Sequence, residues 1–281
     1  MRAAGPVDRP LGLGPQGHVC WAFDEHTEFR ARAREFLAEG LSRGHQVWYV
    51  AAGDTATLAG HLRGMEGVDE ALRTGAARLV SADGAYPVGT VVDPETQARG
   101  YAEATENALA SGYTGLRVAA DCTPLVVTPE QLAAFARYEH VMDQYMALRP
   151  FSAMCAYDRR RVGNDVVAQV ACMHPAGNTS VDPGFRLFGS ARYAAGLAGE
   201  LDLATGARLA AALERADPRP VGGHLMVDAS GLRFLDHKSL VRLDTFARAR
   251  EATLVLRTSW PGATRLAGLL DLPSVRVEAI A

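Results

Sequence analysis

Two sets of side chains in this sequence have the types and spacing for chemistry. In the first, His18 opens an apolar run, Asp24 and Glu28 follow it, Asp121 and Cys122 close a later run, and Cys155, Tyr157, Asp158 and Arg159 close another. Ligands of open α/β sheets bind beyond the carboxyl ends of the strands. Asp24, Asp121 and Asp158 are therefore expected to face one crevice, with His18, Glu28, Cys155, Tyr157 and Arg159 as further candidate ligand-binding residues. Taken singly, the same residues read as helix caps, turn residues and a hydrogen-bonded tyrosine. A thiol such as Cys155 becomes a nucleophile only with a base beside it. The sequence does not place His18 or His174 there, so no catalytic residue is assigned and no enzyme is expected.

The second set is FLDHKSL, Phe234 to Leu240, which holds Lys238, the only lysine in a chain of 281 residues. The stretch lies between a strand-like and a helix-like run, so the cation falls near a helix N-terminus. That position is unfavourable by a few tenths to about 1 kcal/mol. A third motif, GLGPQG at Gly12 to Gly17, matches the G-x-G-x-x-G pattern, but it precedes the first strand instead of following one and opening a helix. A phosphate-cradling role is rejected on that ground.

The elements that must position these residues alternate regularly. HVCWAF (18–23), HQVWYVAA (45–52), AARLVSA (76–82), GLRVAADC (115–122) and FSAMCAYD (151–158) read as strands. Helices fit a stretch from about Phe29 to Leu41, residues 55–63 with a short piece after it, 94–111 and 129–148, with Asp93 and Thr128 as N-caps and Pro94 and Pro129 in first turns. Strands apolar on both faces that alternate with helices predict a mostly parallel sheet covered on both sides, an α/β architecture. This first domain is expected over residues 1–175, followed by a Gly/Pro/Asn/Asp-rich linker at 176–184 and a smaller α/β domain at 185–281. In the second domain a strand pair, a helix to Ala216, the buried strand HLMVDAS, a helix at 237–250, the strand TLVLRTS, a helix at 261–270 and a last strand VRVEAI are expected.

Composition excludes several classes. A net charge of −3 and no basic cluster beyond DRRR (158–161), read as a solvated turn, argue against nucleic-acid partners. No apolar segment fits a signal peptide or a membrane span, which predicts a cytoplasmic protein with no membrane partner. The four cysteines, Cys20, Cys122, Cys155 and Cys172, form no C-x-x-C pair and have no histidine at zinc spacing. Free buried thiols, no metal site and no cofactor are expected.

Both halves resemble known families. GHVCWAFDEHTEF, FLAEGLSRGHQVWYVA, GYTGLRVAAD, AMCAYDRRRV and a later CMHP, spanning residues 15 to 175, resemble the MEDS domain, a sensory domain of methanogens and methylotrophs. The resemblance implies a RecA-like fold without the P-loop and a sensor of small molecules. Asp121 stands where that family usually has glutamate. AGELDLATGARLAAALE and LMVDASGLRFLDHKSL, within residues 184 to 281, resemble the STAS domain of anti-sigma factor antagonists. That resemblance implies docking to an anti-sigma factor or a related histidine-kinase-like regulator through Asp236, His237, Lys238 and Ser239. Lys238 occupies the place of the serine that is phosphorylated in signalling members, so the usual phospho-switch is absent. Ser239 comes one residue late, rotated about 100° around the helix. A sensory half coupled to a docking half is the expectation; the alternative is a pure protein–protein interaction module with no ligand.

Overall fold

A computed structural model describes residues 4–87, 89–180 and 182–280 and contains two sheets. The first has seven parallel strands, β1 (Gly5–Val7), β2 (His18–Phe23), β3 (Gln46–Ala51), β4 (Ala77–Ser81), β5 (Leu116–Asp121), β6 (Phe151–Asp158) and β7 (Ala176–Asn178), in the order β1-β7-β2-β6-β5-β3-β4. The connecting helices are α1 (His26–Ser42), α2 (Thr55–His61), α3 (Val68–Thr74), α4 (Ala82–Ala85), α5 (Pro94–Ala110), α6 (Pro129–Met146) and α7 (Arg159–Ala171).

Side chains alternate across a strand, and here the alternation serves two cores. Val19, Trp21, Phe23, Met154 and Ala156 pack on one face against Phe29, Phe36 and Leu37 of α1 and Leu58 of α2. Cys20, Ala22, Ala153, Cys155 and Tyr157 pack on the other face against Phe135 and Met142 of α6 and Val167 of α7. Helix α6 starts where its sequence dictates: Pro129 opens it, and Thr128 and Gln131 cap each other's backbone reciprocally.

The second sheet contains β8 (Phe185–Phe188), β9 (Ala195–Leu201), β10 (His224–Leu235), β11 (Thr253–Thr258) and β12 (Val275–Ala279) in the order β12-β11-β10-β9-β8. It is parallel except for the β8–β9 pair. Helices α8 (Gly206–Ala216), α9 (His237–Arg248) and α10 (Pro261–Leu270) bury Leu209, Leu213, Leu240, Leu243 and Ala263 in its core. Ala136 of α6 and Cys172 and Met173 after α7 enter the same core, so the two halves share apolar packing.

The α/β expectation holds, with four local differences. An unexpected strand, β1, precedes the glycine loop at 12–17, so the loop does follow a strand, but it leads into β2 and opens no helix. DRRR does not form a solvated turn: Asp158 accepts from the backbone N–H of Arg160 at 2.9 Å and caps α7. The helix pattern is hidden by Gly163, whose φ of 82° and ψ of 160° interrupt the helical backbone. The expected linker begins as strand β7, because the Asn178 amide donates to the Ala22 carbonyl at 2.7 Å and accepts from the Ala22 N–H at 2.9 Å, locking the segment beside β2. Strand β10 runs past HLMVDAS to Leu235, with its register shifting twice against β9.

Candidate functional site

The polar centre of the first half lies between its sheet and helix α6. His18 and Cys155 sit on neighbouring strands, His18 opposite Ala153 in the β2–β6 register, and both side chains face α6. Helix α6 carries Glu139 and Asp143 four residues apart, which puts both carboxyls on one helical face. His18 Nε2 lies 3.1 Å from Glu139 Oε2, and His18 Nδ1 lies 2.9 Å from Asp143 Oδ1. The Cys155 Sγ is 3.6 Å from His18 Nε2 and 3.7 Å from Glu139 Oε2. Tyr157 donates its hydroxyl to Glu139 Oε1 at 2.8 Å. His174, just after α7, completes the group: its ring lies 4.1 Å from the His18 ring, its Nε2 is 3.6 Å from Glu139 Oε1, and its Nδ1 meets the Val170 carbonyl at 2.9 Å.

All six side chains are buried, so each protonation state is set by its neighbours. Burial alone would lower the His18 pKa, but the hydrogen bonds and charges of Asp143 and Glu139 outweigh it and raise it to about 9. Burial pushes Glu139 upward, yet the imidazoles of His174 and His18 hold its carboxyl below the usual range. Burial and the His18 cation lower His174 to about 4. The Cys122 thiol, burial and the Glu139 carboxylate push the Cys155 thiol well up, which is the opposite of an activated nucleophile. His18 thus lies buried between the carboxyl groups of Glu139 and Asp143. Among the described residues, His18, Glu139, Cys155 and His174 could hold a metal ion, with their ligand atoms all within 4.8 Å of one another.

Sequence reasoning named His18, Cys155 and Tyr157 but missed Glu139 and Asp143 and left His174 unplaced. It also found no metal-ligand spacing, because the four donors come from four distant chain segments. A signal for the missed carboxylates was present: Leu132, Phe135, Ala136, Glu139, Met142, Asp143 and Met146 form one helical stripe, so two acids stand on a core face.

The remaining candidates gather at the carboxyl edge of β2, β5 and β6, outside this group. Asp24 is paired with Arg159, which also donates to the Ser180 carbonyl at 3.0 Å. Asp121 accepts from the Thr123 N–H at 3.1 Å, and burial raises its pKa. Glu28 accepts from the Trp21 indole at 3.3 Å. Asp24 is thus engaged in an ion pair and Glu28 in a hydrogen bond, while Asp121 also lines a small cavity beside Cys155. The glycine loop at 12–17 is likewise held: Gly12 N–H donates to Glu39, the buried Arg117 donates to Gly14 O at 3.4 Å, and Arg117 pairs with Glu39 at 2.8 Å.

A small cavity of about 30 Å³ reaches the polar group from the side, lined by Tyr101, Tyr138, Phe135, Cys122 and Cys155, with Tyr86 and Gln97 at its half-exposed rim.

In the second half, Asp236 caps α9 by accepting from Ser239 N–H at 2.7 Å. His237 and Lys238 are exposed in the first turn, while Ser239 is buried with no partner for its hydroxyl. Phe234 and Val241, both exposed, flank Lys238 in sequence, and Leu203 is exposed in the turn after β9.

Asp143 links the two halves. Its Oδ1 faces His18, and its Oδ2 accepts from the Gly189 N–H at 2.6 Å, at the start of the β8–β9 turn. Gly189 must be glycine here, since a Cβ would lie 2.4 Å from the Gln144 backbone nitrogen.

Fold and site together define a doubly covered parallel α/β domain with a closed polar centre. Residues 17–175 match the MEDS family, the methanogen/methylotroph DcmR sensory domain, and the chain belongs to that family. A search of curated proteins found no match. No helix among the described residues is long and apolar enough to cross a membrane.

Proposed function

We propose that this chain is a non-catalytic signalling protein whose MEDS half senses a small molecule and whose STAS-like half docks an anti-sigma factor or a related histidine-kinase-like regulator. The observation that carries the coupling is Asp143, one carboxylate that holds His18 in the first half and the Gly189 amide in the second. A ligand that moved His18 or α6 would have differential affinity for two arrangements of β8 and β9, which is what coupling between sites requires. The ligand site we assign is the aromatic cavity beside Cys155, whose size and walls suit an uncharged molecule of a few heavy atoms.

The STAS reading rests on the sequence resemblance, and the mixed five-stranded sheet with α9 capped by Asp236 supports it. Lys238 then presents a permanent cation beside exposed apolar side chains, where other members of the STAS family carry a regulated serine. The buried Ser239 hydroxyl is a poor substitute acceptor. The matching partner surface is acidic with an apolar centre.

The test is to measure binding of each kinase-like anti-sigma factor of the host to the full chain and to Lys238→Glu. The proposal expects at least one binder that the charge reversal weakens about tenfold, worth roughly 1.4 kcal/mol. No binder among them removes the docking function. Native and denaturing mass spectra of the same protein test the sensor: a mass that falls on denaturation reveals the ligand. Gly189→Ala, which wedges β8 from α6, is expected to lower stability by about 2 kcal/mol and to make partner affinity insensitive to ligand.

A further inference from the structure

The buried polar group has a feature that neither the sensor cavity nor the docking surface uses. His174 Nε2 is fully buried and has no hydrogen-bond partner, although it points at Glu139 from 3.6 Å. Leaving a buried polar nitrogen unpaired costs about 1–3 kcal/mol. Other buried polar atoms among the described residues are also unpartnered, such as His45 Nδ1, His140 Nδ1 and Ser239 Oγ, but the His174 nitrogen alone lies within a cluster of further ligand atoms, all within 4.8 Å of one another, and that setting points to an absent ligand.

The geometry points to a transition-metal site formed by His18 Nε2, His174 Nε2, Glu139 and Cys155 Sγ, with zinc(II) the ion its donor set fits. Ligands at about 2.0–2.3 Å from a tetrahedral zinc lie about 3.4–3.7 Å apart. The separations His18 Nε2–Cys155 Sγ of 3.6 Å and Cys155 Sγ–Glu139 Oε2 of 3.7 Å fall in that range, and His18 Nε2–Glu139 Oε2 at 3.1 Å is slightly tighter. His174 Nε2 lies 3.6 Å from the other carboxylate oxygen, Oε1, with one ligand atom from each of the four residues within 4.8 Å of the rest. Two imidazoles, a carboxylate and a thiolate form a borderline-soft set suited to zinc.

The outer shell has the form that ligating histidines require. Each histidine is held through Nδ1, His18 by the Asp143 carboxylate at 2.9 Å and His174 by the Val170 carbonyl at 2.9 Å, so each Nε2 is aimed inward. Such partners fix tautomer and ring orientation. Tyr157 fixes Glu139 in the same way, through the hydroxyl donated at 2.8 Å.

Charge balances as well. On binding, the ion displaces two protons, one from His18 Nε2 and one from the Cys155 thiol, and both leave to solvent. Two positive charges replace two, and Asp143 keeps its hydrogen bond at His18 Nδ1. The cavity past Tyr86 and Tyr101 reaches Cys155 and offers a way in. With four protein ligands the site is closed, which makes it a structural or sensory centre.

The test uses the full chain stripped with chelator and titrated with cobalt(II) as a spectroscopic stand-in, alongside elemental analysis of protein purified without chelator. One equivalent of zinc, and a cobalt adduct with a thiolate charge-transfer band in the near ultraviolet and tetrahedral visible bands, are expected. Cys155→Ser should remove the thiolate band. Asp143→Asn should weaken the metal about 10–100-fold, and His174→Gln by more. Absence of both zinc and the thiolate band in the unaltered chain overturns the proposal without any variant having to fold. So does a metal that persists with unchanged spectrum in folded Cys155→Ser or unchanged affinity in folded His174→Gln.

Discussion

The two halves of this chain bury different things: the first encloses a cluster of ionisable side chains, while the second buries such groups only singly, as at Arg186 and Asp244. The first half carries His18, Glu139, Asp143 and His174 in its interior and satisfies its carboxyl-edge charges with caps and ion pairs. The second half has an apolar core of Leu, Ala, Val and Phe, and places Lys238 and His237 outside. A buried polar group can respond only to what enters the domain or displaces its packing, whereas an exposed cation responds to whatever approaches. On the function proposed above, that difference is the one between a sensing half and a docking half.

The comparison is broken most severely by Glu139→Ala. In chelator, where the polar network acts alone, this variant leaves the His18 cation with one partner fewer in a buried site and is expected to lose about 3–5 kcal/mol in urea unfolding. A loss below about 1 kcal/mol would show that the network contributes little to the fold. In the second half the largest loss should come from an apolar cut: Leu254→Ala removes a fully buried side chain and is expected to cost about 3 kcal/mol by the same measurement.

A pH test sharpens the contrast at another buried histidine of the first half. Burial lowers the His45 pKa to about 4, helped by Arg117 and Arg43 and opposed by Glu39. The unfolded chain takes up this proton below about pH 6.5, whereas the native chain refuses it until about pH 4, so stability falls as the pH drops through that window. His45→Gln should fall less steeply between those limits by one proton's share, with His140 and His174, which burial also lowers to about 4, and His61, which burial lowers too, contributing to the remainder. Identical slopes would place His45 in contact with water. The smallest effect belongs to Lys238→Ala, expected to change stability by less than about 0.5 kcal/mol while altering partner affinity.

Strand and helix order was legible in the sequence because apolar periodicity reports burial directly, and HVCWAF and FSAMCAYD form β2 and β6 with the expected bounds. Helix α7 was not, because Gly163 and the arginine run obscure its apolar positions, and β7 was not, because a three-residue strand held by one asparagine looks like a loop. The site was half legible. His18, Cys155 and Tyr157 stood out as polar residues in apolar strands, but their assignment to the carboxyl edge was an inference from fold class. The actual meeting point is set by the β2–β6 register and by the rotation of α6, which local spacing does not encode.

The pairing of β1 with β7 also bears on how the chain is made. Gly5 pairs with Ala176, so the first strand of the sheet must wait for a partner synthesised roughly 170 residues later. At ribosomal rates of about 5–20 residues per second that delay is on the order of ten seconds. His174 lies two residues before that partner, so the polar centre is completed and the sheet closed at nearly the same moment of synthesis.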